Sequence, residues 1–303
     1  MKTASITTRQ QAVGVARHVK VANLLLAFLF VLETTTLAQV QQYKFQKLNP
    51  PASTYSFAFG INNKGTVVGS FVNGSSEYEG FVYKNGRYEA IVFPGSLGFT
   101  QASGINDSNT VVGDFIGSDS FTHGFLVTHD GSFTQYDVAI GISTYIYGIN
   151  NAGNFAGFAG KDGANQGFVN IAGTVTQFTV NGNPTVALGI DRLNNTVGYF
   201  IDASFVIHGF YRDASGVITQ IDYPGALTTS CHGINDLHVI TGYYIDSAGA
   251  THSFVEKNGK FRTVPIPSVA GINDGESFVG FYVGKNQKNY GYVATPLSAV
   301  QTR

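Results

Sequence analysis

The chain has 303 residues, 43% hydrophobic and only 12% charged, with 37 Gly, 16 Tyr and 24 Phe but one Cys and no Trp. One cysteine excludes an intrachain disulfide scaffold, 13% aromatic residues argue against a disordered chain, and 18 basic against 19 acidic residues disfavour nucleic acid as a partner. Frequent glycines among short Val, Phe and Tyr runs disfavour helix and leave an all-β chain long enough to bury a full core.

Residues 1–38 read as a secretory signal peptide. Lys2, Arg9, Arg17 and Lys20 precede an apolar run of 12 residues from Val21 to Leu32, and Thr36-Leu37-Ala38 ends on a small residue suited to cleavage before Gln39. Twelve residues at 1.5 Å each make a helix of about 18 Å, well short of the ~30 Å hydrocarbon core, which favours a cleaved leader over a membrane anchor. Removing Lys2, Arg9, Arg17, Lys20 and Glu33 with the leader lowers the 18 basic and 19 acidic residues to 14 and 18, a net charge of −4. No later segment is apolar and long enough to span a bilayer as a helix, so the expected location is secreted, extracellular or periplasmic.

From residue 39 onward one unit recurs six times. Gly-Ile-Asn or Gly-Ile-Asp begins at Gly60, Gly104, Gly148, Gly189, Gly233 and Gly271, and nine residues after each stands Gly69, Gly113, Gly157, Gly198, Gly242 or Gly280. A third marker is a small residue followed by an aromatic: Gly80-Phe81, Gly124-Phe125, Gly167-Phe168, Gly209-Phe210, Ser253-Phe254 and Gly291-Tyr292. Each unit predicts four strands. The first ends in the Gly-Ile-Asn, and a tight polar turn such as Asn62-Asn63-Lys64-Gly65 leads to the second, as in Val67 to Phe71. The third starts at the small-aromatic pair. Hairpin turns at Asn85-Gly86, Asp130-Gly131, Ser215-Gly216 and Asn258-Gly259 then lead to the fourth. Units of this size and strand count predict propeller blades. The last unit stops after its third strand near Pro296, while Tyr43 to Leu48 stands ahead of the first Gly-Ile-Asn as a strand without a unit. The economical solution is a single six-bladed β-propeller over 39–303, with units starting near 53, 97, 141, 182, 226 and 264, in which residues 43–48 complete the sixth blade and leave no unpaired end.

These motifs resemble the HAF-repeat family of secreted bacterial extracellular-repeat proteins. The resemblance rests on Gly60-Ile61-Asn62-Asn63-Lys64-Gly65-Thr66-Val67-Val68-Gly69, on His123-Gly124-Phe125 and His208-Gly209-Phe210, and on the variant His252-Ser253-Phe254. It covers about residues 53–295, with departures at Glu79, Gln166, Tyr290 and Arg192. It implies an exported β-repeat protein and no established activity.

Strand alternation sorts the connections onto two rims. First-to-second and third-to-fourth turns are tight; second-to-third and blade-to-blade connections are longer, and that loop-rich rim is the default binding face. His123, His208 and His252 recur at one repeat position, and Asp202 with His208, like Asp246 with His252, flanks one hairpin loop. This places two readings side by side: imidazoles and carboxylates able to hold a divalent metal, or Asp–His bonds that staple each hairpin. The repeat favours the staple, and no cofactor is expected. Candidate ligand-binding residues on the loop-rich side are Phe99, Asp119, Tyr145, Lys161, Asp202 and Asp246; Tyr199 is a further stacking candidate, and Asp114 departs from the repeat after its second glycine. Asp107, Asp236 and Asp274 follow a Gly-Ile-Asn and read as turn formers, and Cys231 falls in a small apolar slot that predicts a buried, unreactive thiol. No Walker loop, HExxH, G-x-S-x-G or Cys-x-x-Cys motif occurs, so no catalytic residue is assigned. The leading functional reading is a monomeric binding module for an extracellular polysaccharide or protein. The alternative is a secreted hydrolase, lyase or lactonase with its site at the channel mouth.

Overall fold

A computed structural model describes residues 43–297, so the expected signal peptide lies outside the described residues. Six four-stranded antiparallel sheets follow one another. Blade 1 holds β2 (Tyr55–Ile61), β3 (Val67–Val72), β4 (Tyr78–Lys84) and β5 (Arg87–Ile91); blade 2 holds β6 (Thr100–Ile105), β7 (Val111–Ile116), β8 (Thr122–Val127) and β9 (Phe133–Tyr136). Blade 3 is β10 (Ser143–Ile149), β11 (Phe155–Gly160), β12 (Gln166–Ile171) and β13 (Thr174–Phe178); blade 4 is β14 (Thr185–Ile190), β15 (Thr196–Ile201), β16 (Ile207–Arg212) and β17 (Ile218–Ile221). Blade 5 is β18 (Thr228–Ile234), β19 (Ile240–Ile245), β20 (Thr251–Lys257) and β21 (Lys260–Val264). Blade 6 takes β22 (Val269–Ile272), β23 (Phe278–Val283) and β24 (Asn289–Pro296) from the C-terminal end and β1 (Tyr43–Leu48) from the other. Each first strand packs against the first strands of both neighbouring blades, and β22 returns to β2, so the ring closes. The protein is a six-bladed β-propeller, with β1 as the outer strand of the last blade.

The closing strand runs in register from Tyr43 opposite Pro296 to Leu48 opposite Gly291. Its ends are buried, Tyr43 against Phe278 and Leu48 against the core of blade 1. The Ser56 hydroxyl joins blade 1 to this blade, donating to the Leu48 carbonyl at 2.7 Å and accepting from the Gly291 N–H at 3.0 Å.

The three sequence markers have separate steric causes. A Cβ on Gly60, Gly148, Gly189 or Gly233 would lie 2.9–3.3 Å from backbone of the next blade's first strand, and on Gly104 or Gly271 at 2.4 and 2.6 Å, so the six glycines let neighbouring first strands meet around the axis. Every first strand carries a bulge just before that glycine, between Ala58 and Gly60 and at the five equivalent places. The first-strand carbonyl beside the bulge lies against the second marker: a Cβ on Gly69, Gly113, Gly157, Gly198, Gly242 or Gly280 would sit 1.9–2.0 Å from it, which no side chain tolerates. The third marker supplies the core. Phe81, Phe125, Phe168, Phe210, Phe254 and Tyr292 are 0–1% exposed, each worth about 2–3 kcal/mol of apolar burial.

Turn chemistry follows the expectation in part. Asn85-Gly86 and Asn258-Gly259 have positive φ at both residues, the hairpin geometry that matches strand twist. In the first-to-second turns, Gly65, Asn109, Gly153 and Asn194 take the left-handed position, but His238 (φ 57°) and Glu276 (φ 51°) occupy it in blades 5 and 6. Cys231 is free and fully buried, with its thiol pKa pushed up by burial, as the small apolar slot implies.

Candidate functional site

The tight-turn rim is a belt of side-chain bonds. In each blade the Asn or Asp of the Gly-Ile-Asn folds back on its own turn, as Asn62 Oδ1 does by accepting from the Lys64 and Thr66 N–H groups. Its amide then reaches the next blade: Asn62 to the Asn106 carbonyl at 3.0 Å, Asn106 to Asn150, Asn150 to Asp191, Asn235 to Asn273, and Asn273 back to Asn62. Blade 4 has a carboxylate, Asp191, where the others have an amide. There the polarity is inverted, and His238 Nδ1 of blade 5 meets Asp191 Oδ2 at 3.2 Å. A second belt runs one residue further on. The Asn63 N–H donates to Asp107, Asp107 to Asn151, Arg192 to Asp236, Asp236 to Asp274 and Asp274 to Asn63, each at 2.8–2.9 Å. Asp107, Asp236 and Asp274 are therefore blade-to-blade latches as well as turn residues. The belt is interrupted between Asn151 and Arg192, because arginine has no acceptor.

The loop-rich rim carries the histidines on third strands, in blades 2, 4 and 5, outward from the axis and each in its own blade. His123 is held on both ring nitrogens, by Asp119 at 3.0 Å and Asp137 at 2.7 Å, and Gln135 bonds Asp137 from the same strand edge. Burial opposes its protonation, but the two carboxylates outweigh it and hold the His123 pKa above its usual value. Asp119 titrates low because it accepts from His123 and from the Phe121 N–H. Blade 4 repeats the unit: His208 meets Asp222 at 2.9 Å and Asp202 at 3.5 Å, and Gln220 bonds Asp222. The Asp202 carboxyl is lowered chiefly by the Val206 N–H. Blade 5 keeps half of it. His252 bonds Asp246 at 2.7 Å, which lowers the Asp246 pKa, and Pro265 stands where a fourth-strand carboxylate would be. Each imidazole also lies against a second-strand aromatic, Phe115, Phe200 or Tyr244, at 5.0–5.3 Å between ring centres. The Asp–His bonds are present as hairpin staples. On His123 and His208 the two carboxylates sit at opposite nitrogens and do not converge, and among the described residues no group of three His, Cys, Asp or Glu is arranged to hold a metal ion.

The other candidates separate. Phe99 is half-buried against Tyr78 at 5.4 Å on the blade 1–blade 2 connection, and Lys161 is exposed. Tyr145 and Tyr199 belong to a core cluster between blades 3 and 4, where Tyr145 stacks on Phe158 at 4.4 Å. Exposed apolar tips occupy the same rim as the staples: Leu97 and Leu227 at 55%, Phe205 at 88% and Ile140 fully exposed. Leu97 and Leu227 end equivalent segments, Phe93-Pro94-Gly95-Ser96-Leu97 and Tyr223-Pro224-Gly225-Ala226-Leu227. In both the leading ring stacks at 3.7 Å on a second-strand aromatic, and the leucine N–H donates 2.8 Å to a second-strand carbonyl.

Sequence reasoning missed Asp137 and Asp222, although a signal existed. The fourth strand reads Gln-x-Asp (Gln135-Tyr136-Asp137, Gln220-Ile221-Asp222) only in the two blades whose histidine is bound on both sides. It also left the setting of Asp114 and His232 open. Asp114 is 2% exposed, its Oδ1 has no hydrogen-bond partner, and burial raises its pKa to about 8. His232 sits on the bulge of β18, its Nε2 likewise unpartnered, and burial lowers its pKa to about 4.

No family model matches the chain, and no curated protein matches it in sequence. Solved structures match its fold. A putative TolB from Agrobacterium tumefaciens superposes with a TM-score of 0.56 at 12% identity, covering 80% of this chain and 91% of that one. A triple arginine-to-alanine mutant of AofleA from Arthrobotrys oligospora gives 0.53 at 14% identity, covering 85% and 91%. The SapL1 lectin, in complex with alpha methyl fucoside, gives 0.52 at 13% identity, covering 86% and 100%.

Proposed function

We propose that this propeller is an exported binding module of the HAF-repeat kind, and that its loop-rich rim binds an extracellular polysaccharide. The observation that carries the reading is the form of the rim. Similar rigid units, each an imidazole clamped by carboxylate and laid on an aromatic ring, recur in separate blades and do not gather at one point. Catalysis needs one convergent set of groups; a polymer with repeating units suits several similar shallow contacts. Exposed Leu97, Phe205 and Leu227 add apolar surface beside polar groups, the mixture a sugar ring presents in return. That the superposable SapL1 lectin was solved with a fucoside supports a glycan as the first ligand class to try.

The test is a binding screen of the chain against immobilised bacterial polysaccharides and methyl α-fucoside. Binding to at least one glycan is expected, weakened tenfold or more by combining His208→Ala with Asp222→Ala and unchanged by Arg192→Ala on the opposite rim. Absence of binding at high protein concentration, or equal loss in Arg192→Ala, contradicts the reading.

A further inference from the structure

Arg212 is the cation that breaks the repeat. The position two residues after each core aromatic holds Tyr83, Val127, Asn170, Arg212, Glu256 and Ala294, so only blade 4 places a positive charge there. Asn170 and Glu256 are satisfied within their own hairpins, where they accept from the N–H groups of Gly173 and Gly259. Arginine has donors and no acceptor and cannot make that bond. Arg212 is 7% exposed, and its guanidinium carbon lies 5.0 Å from the centre of the Phe178 ring. Its one hydrogen bond among the described residues runs from Nη1 to the Asp213 carbonyl, at 3.3 Å. No carboxylate forms an ion pair with it among the described residues. Asp213 is the acid whose charge reaches it, and Asp213 Oδ1 already accepts from the Ser215 hydroxyl at 2.7 Å and the Val217 N–H at 2.9 Å. Buried charges are ordinarily paired, so an unpaired guanidinium beside open space calls for an anion.

The open space is a cleft of about 240 Å³, far more than one ordered water needs. One side of it is the connection from blade 3 to blade 4, with Thr179, Val180 and Asn181; the other is the last hairpin of blade 4, with Gly216, Ile218 and Gln220. The guanidinium stands against this second side. Ile218 is its partner across the strand pair, and a Cβ on Gly216 would come within 3.3 Å of Nη2. Gly216 has φ 98°, a conformation side chains rarely adopt, so the turn that requires glycine also leaves Nη2 uncovered. Nε and Nη2 make no bond among the described residues and stay in touch with solvent. They form the edge of the guanidinium on which two N–H groups point the same way. Gln220 donates to Asp222 at 2.6 Å, which ties the cleft wall to the blade 4 staple.

We infer that this cleft binds a carboxylate, the uronate group of an acidic sugar, on the free edge of Arg212. The two coplanar oxygens of a carboxylate match two N–H groups that point the same way, and its single charge balances a single cation. A phosphate dianion would bring a second charge, and none of the six residues lining the cleft is a lysine, arginine or histidine. Val180 and Ile218 offer apolar surface to the C–H face of a sugar ring, and Thr179 and Asn181 offer polar groups to its hydroxyls. The sugar half of this inference rests on the glycan reading of the rim; the carboxylate half rests on Arg212 alone.

The experiment is isothermal titration calorimetry of the chain with sodium methyl β-glucuronide, methyl β-glucoside and sodium sulfate at matched ionic strength. The glucuronide is expected to saturate a single site. The glucoside, the same ring without the charge, and sulfate, the other oxyanion that decorates glycans, are each expected to bind at least tenfold more weakly. Arg212→Gln is expected to weaken the glucuronide at least tenfold. Asn181→Asp repeats the test if that variant folds poorly: the position is exposed, aspartate tolerates its φ of 53°, and the added carboxylate repels the ligand, for an expected loss of fivefold or more. Absence of saturation by the glucuronide at millimolar concentration, equal binding of the glucoside or sulfate, or undiminished binding in both variants overturns the proposal. The immobilised-polysaccharide screen keeps the two readings apart. Neutral glycans held by a chain with no glucuronide site contradict this inference and leave the rim reading standing; a glucuronide site on a chain that holds no polysaccharide supports the Arg212 site and contradicts the rim.

Discussion

The two rims are built from the same six repeats and differ in how faithfully they keep them. On the tight-turn side the asparagine belt joins five of the six blade pairs, and where it fails, at Asp191, a donor from His238 replaces the missing amide. On the loop-rich side the staple is complete in blades 2 and 4, halved in blade 5, and replaced by Glu79, Gln166 and Tyr290 in blades 1, 3 and 6. One rim is maintained by compensation and the other is free to vary. Closure of a ring needs every interface, whereas recognition needs only some of them. The tight-turn rim therefore serves closure of the ring, and the loop-rich rim is the one left free for the binding role proposed above.

The comparison breaks most severely if ring closure is removed. Deleting residues 39–50 takes away β1, exposes the edge of β24 and uncovers the buried Tyr43 and Leu48 contacts, so cooperative unfolding of the whole ring is expected by circular dichroism and thermal melting. Retention of most of the β signal would show the blades to be independent. Next in size is Gly113→Ala. Its Cβ would stand 1.9 Å from the Gln101 carbonyl oxygen, and a loss of about 4 kcal/mol or more is expected in denaturant unfolding.

The sequence carried the architecture because its constraints are steric and repeat with the blades. Gly60 and Gly69 recur since backbone lies where a side chain would stand, and Tyr43 to Leu48 was recognisable as the missing strand because the sixth unit lacked one. The candidate residues were legible only as positions. His208 and Asp202 sit close in sequence and were paired correctly, but Asp222 reaches the same imidazole from the fourth strand, 14 residues further on, and only the sheet brings it there. Tyr145 reads as a rim residue until the first strand places it against the core shared by blades 3 and 4. Whether Asp114 points into solvent or into the ring depends on which face of β7 meets blade 3, a matter of ring packing that alternation alone leaves open.

Asp114 and His232 give a prediction of intermediate size, with opposite signs for the two groups. Asp114 titrates near 4 when unfolded and at about 8 when folded, so the unfolded chain loses its proton first and stability falls as pH rises from 4 to 8. That span is worth at most on the order of 5 kcal/mol, and Asp114→Asn is expected to raise the melting temperature at pH 8 and to change it little at pH 4. His232 acts at the other end. Its folded pKa of about 4 lies below the ordinary 6.5, so stability is lost as pH falls from 6.5 to 4, and His232→Gln is expected to flatten that limb of the melting curve. Parallel pH profiles for wild type and both variants would contradict the burial of these groups. The smallest effect is expected at the staples. Asp246 is partly exposed and its bond to His252 is screened by solvent, so His252→Gln is expected to lower the melting temperature only slightly while leaving the blade folded.

Hydroxyl-radical footprinting with and without a bound glycan tests the division of labour most directly, since leucine tips stand exposed on both rims. The account predicts protection of Leu97, Phe205 and Leu227 on the loop-rich side and no change at Leu193 and Leu237, each 50% exposed, on the tight-turn side. Protection of Leu193 and Leu237 with Leu97 and Leu227 unchanged would contradict it.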